Sequence, residues 1–207
     1  MSVRREGDAI VLQNERVTAT VDAAGAIVAF GPGAGADPVQ ISVAAGVLPG
    51  DAAAVERTEL VDESPVLVAL EVTGGLLRAS DVRVTTRYEL RPCEDGLRVR
   101  SELEHRGADV QTYALADVSV WRTPPPPLEG LPRASYPSVV VTGADAAYAF
   151  VSCDGDDLWG VNEERVSALG AAAALVRPGE RLLFERLLLT AGDEAGARAA
   201  IDRVRGR

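Results

Sequence analysis

The sequence lacks several residue types on which enzyme chemistry often depends. All 21 basic residues are arginine, so the 207-residue chain contains no lysine. That absence excludes a Schiff base, a lysine nucleophile and the lysine of a phosphate-binding loop. The single histidine, His105, excludes a metal site built from several histidines.

Cysteine is almost as scarce. Cys93 and Cys153 are the two cysteines of the chain, and they do not have the CxxC spacing of metal and redox sites. The sequence leaves two alternatives open. They form one disulfide if their strands are neighbours, or they remain two buried thiols.

Long apolar runs are also missing. No stretch of about 18 apolar residues occurs, so we expect neither a transmembrane helix nor a membrane partner. Residues 1–8 contain two arginines, but no apolar segment follows them, which is not the pattern of a secretory signal. The chain is therefore expected to be cytoplasmic, or to be a domain of a larger protein.

The charge balance is acidic, with 31 acidic against 21 basic residues and a net charge of −10. A surface of that sign repels a nucleic-acid backbone, so nucleic acid is not an expected partner. No GxSxG, HExxH, GxGxxG or P-loop pattern occurs, and no cofactor is predicted. With 47% hydrophobic and 25% charged residues, the composition is that of an ordinary globular domain.

Alternation of apolar and polar residues predicts a half-buried β-hairpin over residues 82–106. Its apolar face carries Val82, Val84, Thr86, Tyr88, Leu90, Leu97, Val99, Ser101, Leu103 and His105. Its charged face carries Arg83, Arg87, Glu89, Arg91, Arg98, Arg100, Glu102, Glu104 and Arg106. The arginines could hold an anionic ligand, but the interleaved glutamates favour a cross-strand ladder of ion pairs.

Similar alternation along the rest of the chain predicts about 13 to 15 strands. A helix is expected after Asp193, with an apolar stripe of Ala195, Ala199, Ile201 and Val204. The pair Gly74-Gly75 is interpreted as a hinge or bulge. The alanines of residues 171–177 suggest a helix, but a strand fits the neighbouring segments better. The predicted fold is an all-β, antiparallel, two-sheet sandwich with one C-terminal helix. We expect a single domain over residues 1–207, with a proline-rich surface loop at 122–137.

The pattern resembles the large β-sandwich (supersandwich) of galactose mutarotase-like domains. The resemblance rests on the hairpin of residues 82–106, on LVRPGE at 175–180 before a leucine-rich strand, and on the opening IVLQNERV at 10–17. That superfamily includes sugar epimerases, lyases, parts of glycoside hydrolases and non-catalytic accessory domains. Mutarotases of this type use a carboxylate base together with histidines. Because this chain has one histidine, on an apolar face, no catalytic residue is carried over.

Three residues are candidates for acid–base chemistry. His105 has the intrinsic pKa for it, although its face favours a structural role. Glu185 lies among leucines on a predicted strand, where an ion pair with an arginine is the alternative to a catalytic acid. Asp117 is the third candidate.

Two tryptophans suggest a carbohydrate platform, because an exposed indole can stack on a sugar ring. Trp159 lies near Asp156, Asp157 and Glu163, and Trp121 borders the proline-rich loop. If both rings line one groove, these residues form a ligand site. The alternative is that both tryptophans are buried anchors, as large aromatic residues usually are.

An acidic segment, CDGDD at residues 153–157, is a candidate calcium site. Asp154, Asp156 and Asp157 supply the oxygen ligands that calcium prefers. The segment does not fit the EF-hand pattern, and an acidic hairpin turn is the alternative.

These features support three hypotheses. The first is a non-catalytic β-sandwich domain that binds carbohydrate or packs against a neighbouring domain as an accessory module. The second is a structural or assembly module that forms a homodimer through a sheet face. The third is a sugar- or uronate-active enzyme, of epimerase or lyase type, that uses carboxylates such as Glu185, Glu163 and Asp117 as acid and base.

Overall fold

A computed structural model of the chain describes residues 1–32, 41–48, 51–76, 81–121, 138–142, 147–153, 159–163, 166–170 and 173–206. Strands dominate these residues, as the alternation predicts. The strands are β1 (Ser2–Glu6), β2 (Ala9–Gln13), β3 (Val17–Val21), β4 (Ile27–Pro32), β5 (Ile41–Leu48), β6 (Asp51–Ser64), β7 (Leu67–Leu76), β8 (Val82–Leu90), β9 (Gly96–His105), β10 (Gln111–Trp121), β11 (Ser138–Thr142), β12 (Ala147–Ser152), β13 (Trp159–Glu163), β14 (Val166–Gly170), β15 (Ala174–Val176) and β16 (Arg181–Ala191), and the helix α1 is Glu194–Arg205.

The strands form two layers in which every pairing is antiparallel. The first sheet runs β1-β2-β3-β4-β5-β10-β14-β13, and β15 pairs with the start of β10. The second sheet runs β6-β7-β8-β9-β16-β12-β11. The two are joined at a corner, where β5 pairs with the first residues of β6. The predicted all-β sandwich with one C-terminal helix is therefore confirmed.

The core lies between the two sheets and contains the apolar face of the predicted hairpin. Tyr88, Val99 and Leu103 are buried, while their neighbours on the other face are partly or fully exposed. The hydroxyl of Tyr88 reaches the first sheet and donates to the Gly25 carbonyl at 2.6 Å. Gly25 has a φ of +75°, and a Cβ there would lie 2.5 Å from Val72 Cγ1, so only glycine fits.

Helix α1 packs on the outer face of the second sheet, against the β12 and C-terminal β16 residues. Asp193, one of the two caps that the sequence allows (the other is Thr190), accepts a hydrogen bond from the Gly196 amide at 2.7 Å. The predicted apolar stripe is wrong in part. Ala197, Ala200 and Ile201 are buried, whereas the two expected alanines, Ala195 and Ala199, are exposed. The buried positions and Val204 are spaced i, i+3, i+4, i+7, which places them on one helical face.

Two further differences from the sequence-based prediction concern local structure. The first strand, β1, was not predicted. Gly74 and Gly75 continue β7, and the bulge lies opposite them in β6, where Glu56 is the extra residue between Val55 and Arg57. The segment 171–177, for which the sequence favours a strand, contains the short strand β15.

Two predictions about larger features stay predictions. The proline-rich loop at 122–137 lies outside the described residues, and the single-domain organisation is untested. Among the described residues, no helix combines the length and the apolar character needed to cross a membrane.

Candidate functional site

The outer face of the second sheet carries a solvent-facing polar surface beside helix α1. We call this surface the Leu183 face, and it is built from aligned residues of β8, β9 and β16. Its three rows are Arg83–Glu104–Arg181, Thr85–Glu102–Leu183 and Arg87–Arg100–Glu185. Because side chains of a strand alternate between the two faces, every second residue of these strands contributes to this surface.

An exposed leucine lies in the middle row. Leu183 is 39% exposed, although it belongs to a strand whose later leucines are buried. Charged residues occupy the rows on both sides of it. The arrangement combines an apolar contact area with hydrogen-bond donors and acceptors at fixed spacing. Such a surface can bind a flat ligand that has one apolar face and polar groups around its edge.

Ion pairs hold most of the surrounding side chains in place. Arg181 donates to Glu102 at 2.8 Å, and Arg87 donates to Glu89 at 2.7 Å. Arg100 is different, because its closest carboxylate oxygen, on Glu102, is 3.9 Å away and its side chain is 51% exposed. Its guanidinium therefore has donors that a ligand can use.

The predicted ion-pair ladder is wrong in its connections. None of the ion pairs in the described part of the chain joins β8 to β9. Several pairs, such as Arg87–Glu89 and Arg100–Glu102, lie within one strand. Long arginine side chains reach the i+2 residue on the same face as easily as the residue across the sheet.

Glu185 lies on the Leu183 face and has the expected ion pair with an arginine. Arg98 Nη1 lies 2.6 Å from Glu185 Oε1. Partial burial is the largest single influence and disfavours the charged guanidinium, but the hydrogen bond to Glu185 and the neighbouring negative charges together outweigh it and raise the pKa of Arg98. The same Nη1 lies 3.8 Å from the Sγ of Cys153. Both cysteines are exposed thiols, so neither the disulfide nor the burial expected from the sequence is found.

Asp117 lies in the interior, between the two sheets, rather than on this face. Its carboxylate forms a bidentate ion pair with Arg186, with Nε 2.7 Å from Oδ2 and Nη2 in contact with Oδ1. Both side chains are only 2% exposed. Arg186 Nη1 also donates to Ser101 Oγ at 2.7 Å and to the Phe184 carbonyl at 3.2 Å. The pair therefore links β10 of the first sheet to β16 of the second.

Arg186 was not among the candidate residues, although the sequence contained a signal for it. Alternation places it on the same face as Phe184 and Leu188, and an arginine on an apolar face requires a buried partner. Its guanidinium carbon lies 4.7 Å from the centroid of the Phe184 ring.

His105 is fully buried at the end of β9, on the inner side of the second sheet. Its Nε2 lies 2.6 Å from the Asp109 carbonyl oxygen, and its Nδ1 lies 3.5 Å from the Tyr113 hydroxyl. The Leu183 face is on the other side of the sheet, so the structure does not bring His105 and Glu185 together.

The tryptophan positions belong to the first sheet. The backbone of Trp159 pairs with Gly170, which in turn pairs with Ala116 of β10. Trp121 is five residues further along β10, opposite Ile41, a distance of roughly 17 Å along the strand. Glu163 is at the end of β13, paired with Val166. The groove that Trp121 and Trp159 are predicted to share stays a prediction.

The remaining candidates, Asp154, Asp156 and Asp157, lie outside the described residues, and so does the calcium site that they suggest. Within the described ranges, no group of three or more histidine, cysteine, aspartate or glutamate side chains is placed to hold a metal ion.

Comparisons with known proteins show the fold. No family model and no curated protein matches the chain. Among solved structures, a putative aldose 1-epimerase from Escherichia coli K12 is similar with a TM-score of 0.56 at 11% identity, over 92% of this chain and 99% of that one. A TPR-domain containing protein from Parabacteroides distasonis gives a TM-score of 0.64 at 10% identity, over 89% of this chain and 47% of that one.

A third similar structure is the GH36 α-galactosidase AgaB from Geobacillus stearothermophilus, with a TM-score of 0.55 at 9% identity, over 93% of this chain and 41% of that one. The chain thus spans less than half of two of these proteins and nearly all of the epimerase. The similarities agree with the two-sheet β-sandwich that the sequence predicts. At such identities they establish architecture alone.

Proposed function

We propose that the chain is a non-catalytic, carbohydrate-binding β-sandwich domain that holds its ligand on the Leu183 face. The observation that carries the proposal is the exposed Leu183 within aligned rows of arginine and glutamate side chains. The fold adds support, because two similar structures are named as a sugar epimerase and an α-galactosidase.

The chemistry of a sugar ring matches this face. One side of a pyranose is lined by C–H groups, which would pack on Leu183. Its hydroxyls both donate and accept hydrogen bonds, so they need partners of both kinds at the edge of the ring. Arg100 offers donors, and Glu102, already oriented by Arg181, offers acceptors.

A binding role suits the face better than a catalytic role. The single histidine of the chain is buried on the other side of the sheet. The carboxylate of Glu185 is engaged by Arg98, which favours a fixed hydrogen-bonding partner over a proton-transferring group. In this proposal the chain acts as an accessory module, and a neighbouring domain supplies any chemistry performed on the bound sugar.

The test is a calorimetric titration with a panel of neutral sugars and uronates. The variant Leu183→Asp removes the apolar contact and is expected to weaken binding at least tenfold, about 1.4 kcal/mol. The matched control is Leu175→Asp, which makes the same change at a leucine that is 73% exposed on β15, outside the face. The control is expected to bind like the wild type.

Three results would contradict the proposal. In the first, no sugar of the panel binds. In the second, both aspartate variants lose affinity equally. In the third, the wild type is a dimer in sedimentation equilibrium and Leu183→Asp makes it a monomer, which assigns the face to self-association, the assembly role that the sequence also suggested.

A further inference from the structure

We propose that a second concave site, at the end of the sandwich formed by the β1–β2 turn and β6, binds a small zwitterion of the α-amino acid type. The cavity has a volume of about 300 Å³, at the lower end of the range for small-molecule pockets. Its lining includes Arg5, Gly7, Asp8, Glu56, Arg57 and Thr58.

Two local features of the backbone build this cavity. The hairpin between β1 and β2 turns at Gly7, whose φ of +63° is in the left-handed region, and it places Arg5 and Asp8 at the cavity wall. The β6 bulge supplies Glu56 as an extra residue, and bulges commonly redirect a side chain in this way. Three strands separate β6 from β16, so the cavity is roughly 19 Å from Leu183.

The lining contains four charged residues, all of them exposed, and three of the four have no ion-pair partner among the described residues. Arg57 is neutralised by Glu59, with Nη2 and Oε2 2.5 Å apart. Within the part of the chain that the structure describes, Arg5, Asp8 and Glu56 form no ion pair, with one another or with any other residue. One cationic and two anionic side chains therefore border the same cavity without counter-charges.

A neutral group of the lining is also without a partner. The Oγ1 of Thr58 is buried and makes no hydrogen bond in the described structure. A buried hydroxyl without a partner destabilises the folded state. A rotation of the Thr58 side chain towards the cavity would let a polar group of the ligand pair with this hydroxyl and remove the cost.

The sign pattern selects the ligand class. A simple anion would be attracted by Arg5 but repelled by Asp8 and Glu56. A simple cation would be attracted by the two carboxylates but repelled by Arg5. A neutral sugar would form no ion pair with any of the three charges. A zwitterion of α-amino acid size satisfies both signs, with its carboxylate on Arg5 and its ammonium near the two carboxylates.

The ligand class is tested by titrating the full chain with glycine and alanine, and separately with acetate, methylammonium and galactose. The zwitterions are expected to bind at least tenfold more tightly than acetate or methylammonium, and galactose is not expected to perturb this site. Equal binding of acetate or methylammonium would overturn the proposal, as would a flat response to both amino acids.

Charge-removing variants test which side chains bind the carboxylate and the ammonium of the ligand. Arg5→Gln and Glu56→Gln are each expected to weaken alanine binding at least tenfold, because each removes one charge partner of the ligand. Arg4→Gln is the matched control, since Arg4 is the neighbouring exposed arginine and pairs with Glu6 at 2.7 Å outside the cavity. A loss of affinity in the control equal to that of Arg5→Gln would overturn the assignment.

Thr58→Val provides an independent readout that does not depend on charge. Valine keeps the shape but removes the unpartnered hydroxyl, so the melting temperature of the unliganded protein is expected to rise by about 2–4 °C. Alanine binding is expected to weaken severalfold in the same variant. Unchanged binding would remove Thr58 from the site and contradict the proposal. This site and the Leu183 face are tested by different variants, so each can fail alone.

Discussion

Replacing Asp117 with alanine removes the carboxylate that holds the buried guanidinium of Arg186. The variant loses the Nε–Oδ2 hydrogen bond of 2.7 Å and the second contact through Nη2. Nη1 keeps its bonds to Ser101 and to the Phe184 carbonyl. The positive charge then remains between the two sheets with no counter-charge from Asp117.

Breaking a buried ion pair from one side costs about 3–5 kcal/mol. That is a large fraction of the total stability of about 5–15 kcal/mol expected for a folded domain. With a shift of roughly 2–4 °C per kcal/mol for a chain of this size, the melting temperature is expected to fall by roughly 6–20 °C. The near-complete burial of both side chains, each 2% exposed, is the reason to use the buried-pair figure.

Urea denaturation of a double-mutant cycle with Arg186→Met measures this effect. The double variant Asp117→Ala/Arg186→Met is expected to be more stable than either single variant, because it leaves no unpaired charge in the core. A loss below about 1 kcal/mol for Asp117→Ala, typical of an exposed pair, would refute the reasoning. Additive losses in the cycle would refute it as well.

Two further predictions concern a carboxylate and a glycine. Burial alone would raise the pKa of Asp95, but hydrogen bonds from Arg16 and Arg203 outweigh it and hold the pKa below its usual value of 3.8. A carboxylate whose pKa is lower in the folded state stabilises the protein above its unfolded-state pKa, and this stabilisation is lost as the pH falls through the folded-state pKa. In urea titrations, Asp95→Asn should therefore lower the free energy of unfolding at pH 7, and by less at about pH 3. A constant difference between the two pH values would contradict this. A Cβ on Gly74 would lie 2.2 Å from the Ala54 carbonyl oxygen, so Gly74→Ala should lower the unfolding free energy by about 1–3 kcal/mol. Gly192→Ala, where a Cβ meets nothing within 4 Å, is the control, and equal stability of the two variants would refute the clash.

The sequence was sufficient for the fold because the evidence for it is local. Strands with one buried face, such as β3 and β8, alternate with period two, and β9 does so from Leu97 onwards. β1 escaped prediction for the same reason. It lies at the edge of the first sheet, four of its five residues are exposed, and it therefore has no apolar alternation.

Contacts between distant segments could not be predicted in this way. Arg186 and Asp117 are 69 residues apart, and their pairing depends on how the two sheets stack. The sequence correctly predicted that Glu185 pairs with an arginine. It did not identify Arg98, which is 87 residues away. The bulge at Glu56 depends on the register between β6 and β7, and one residue of register decides where a side chain points.

At the candidate site, too, the local arrangement was predictable from the sequence and the contacts with distant segments were not. Alternation places Leu183 and Glu185 on one face of their strand, and that much is visible in the sequence. Whether this face is exposed depends on where α1 packs. The helix lies over Leu187 and Leu189, so the earlier part of β16 remains open.

The most direct test of the proposed function is an NMR titration of the labelled full chain with the sugar that binds best in calorimetry. If the Leu183 face holds the ligand, the amide resonances of Thr85, Glu102 and Leu183 shift in a saturable way, and Leu183→Asp abolishes the shifts while Leu175→Asp does not. Saturable shifts confined to other parts of the chain would contradict the account. So would the absence of shifts at ~10 mM sugar, where a site of millimolar affinity is mostly occupied.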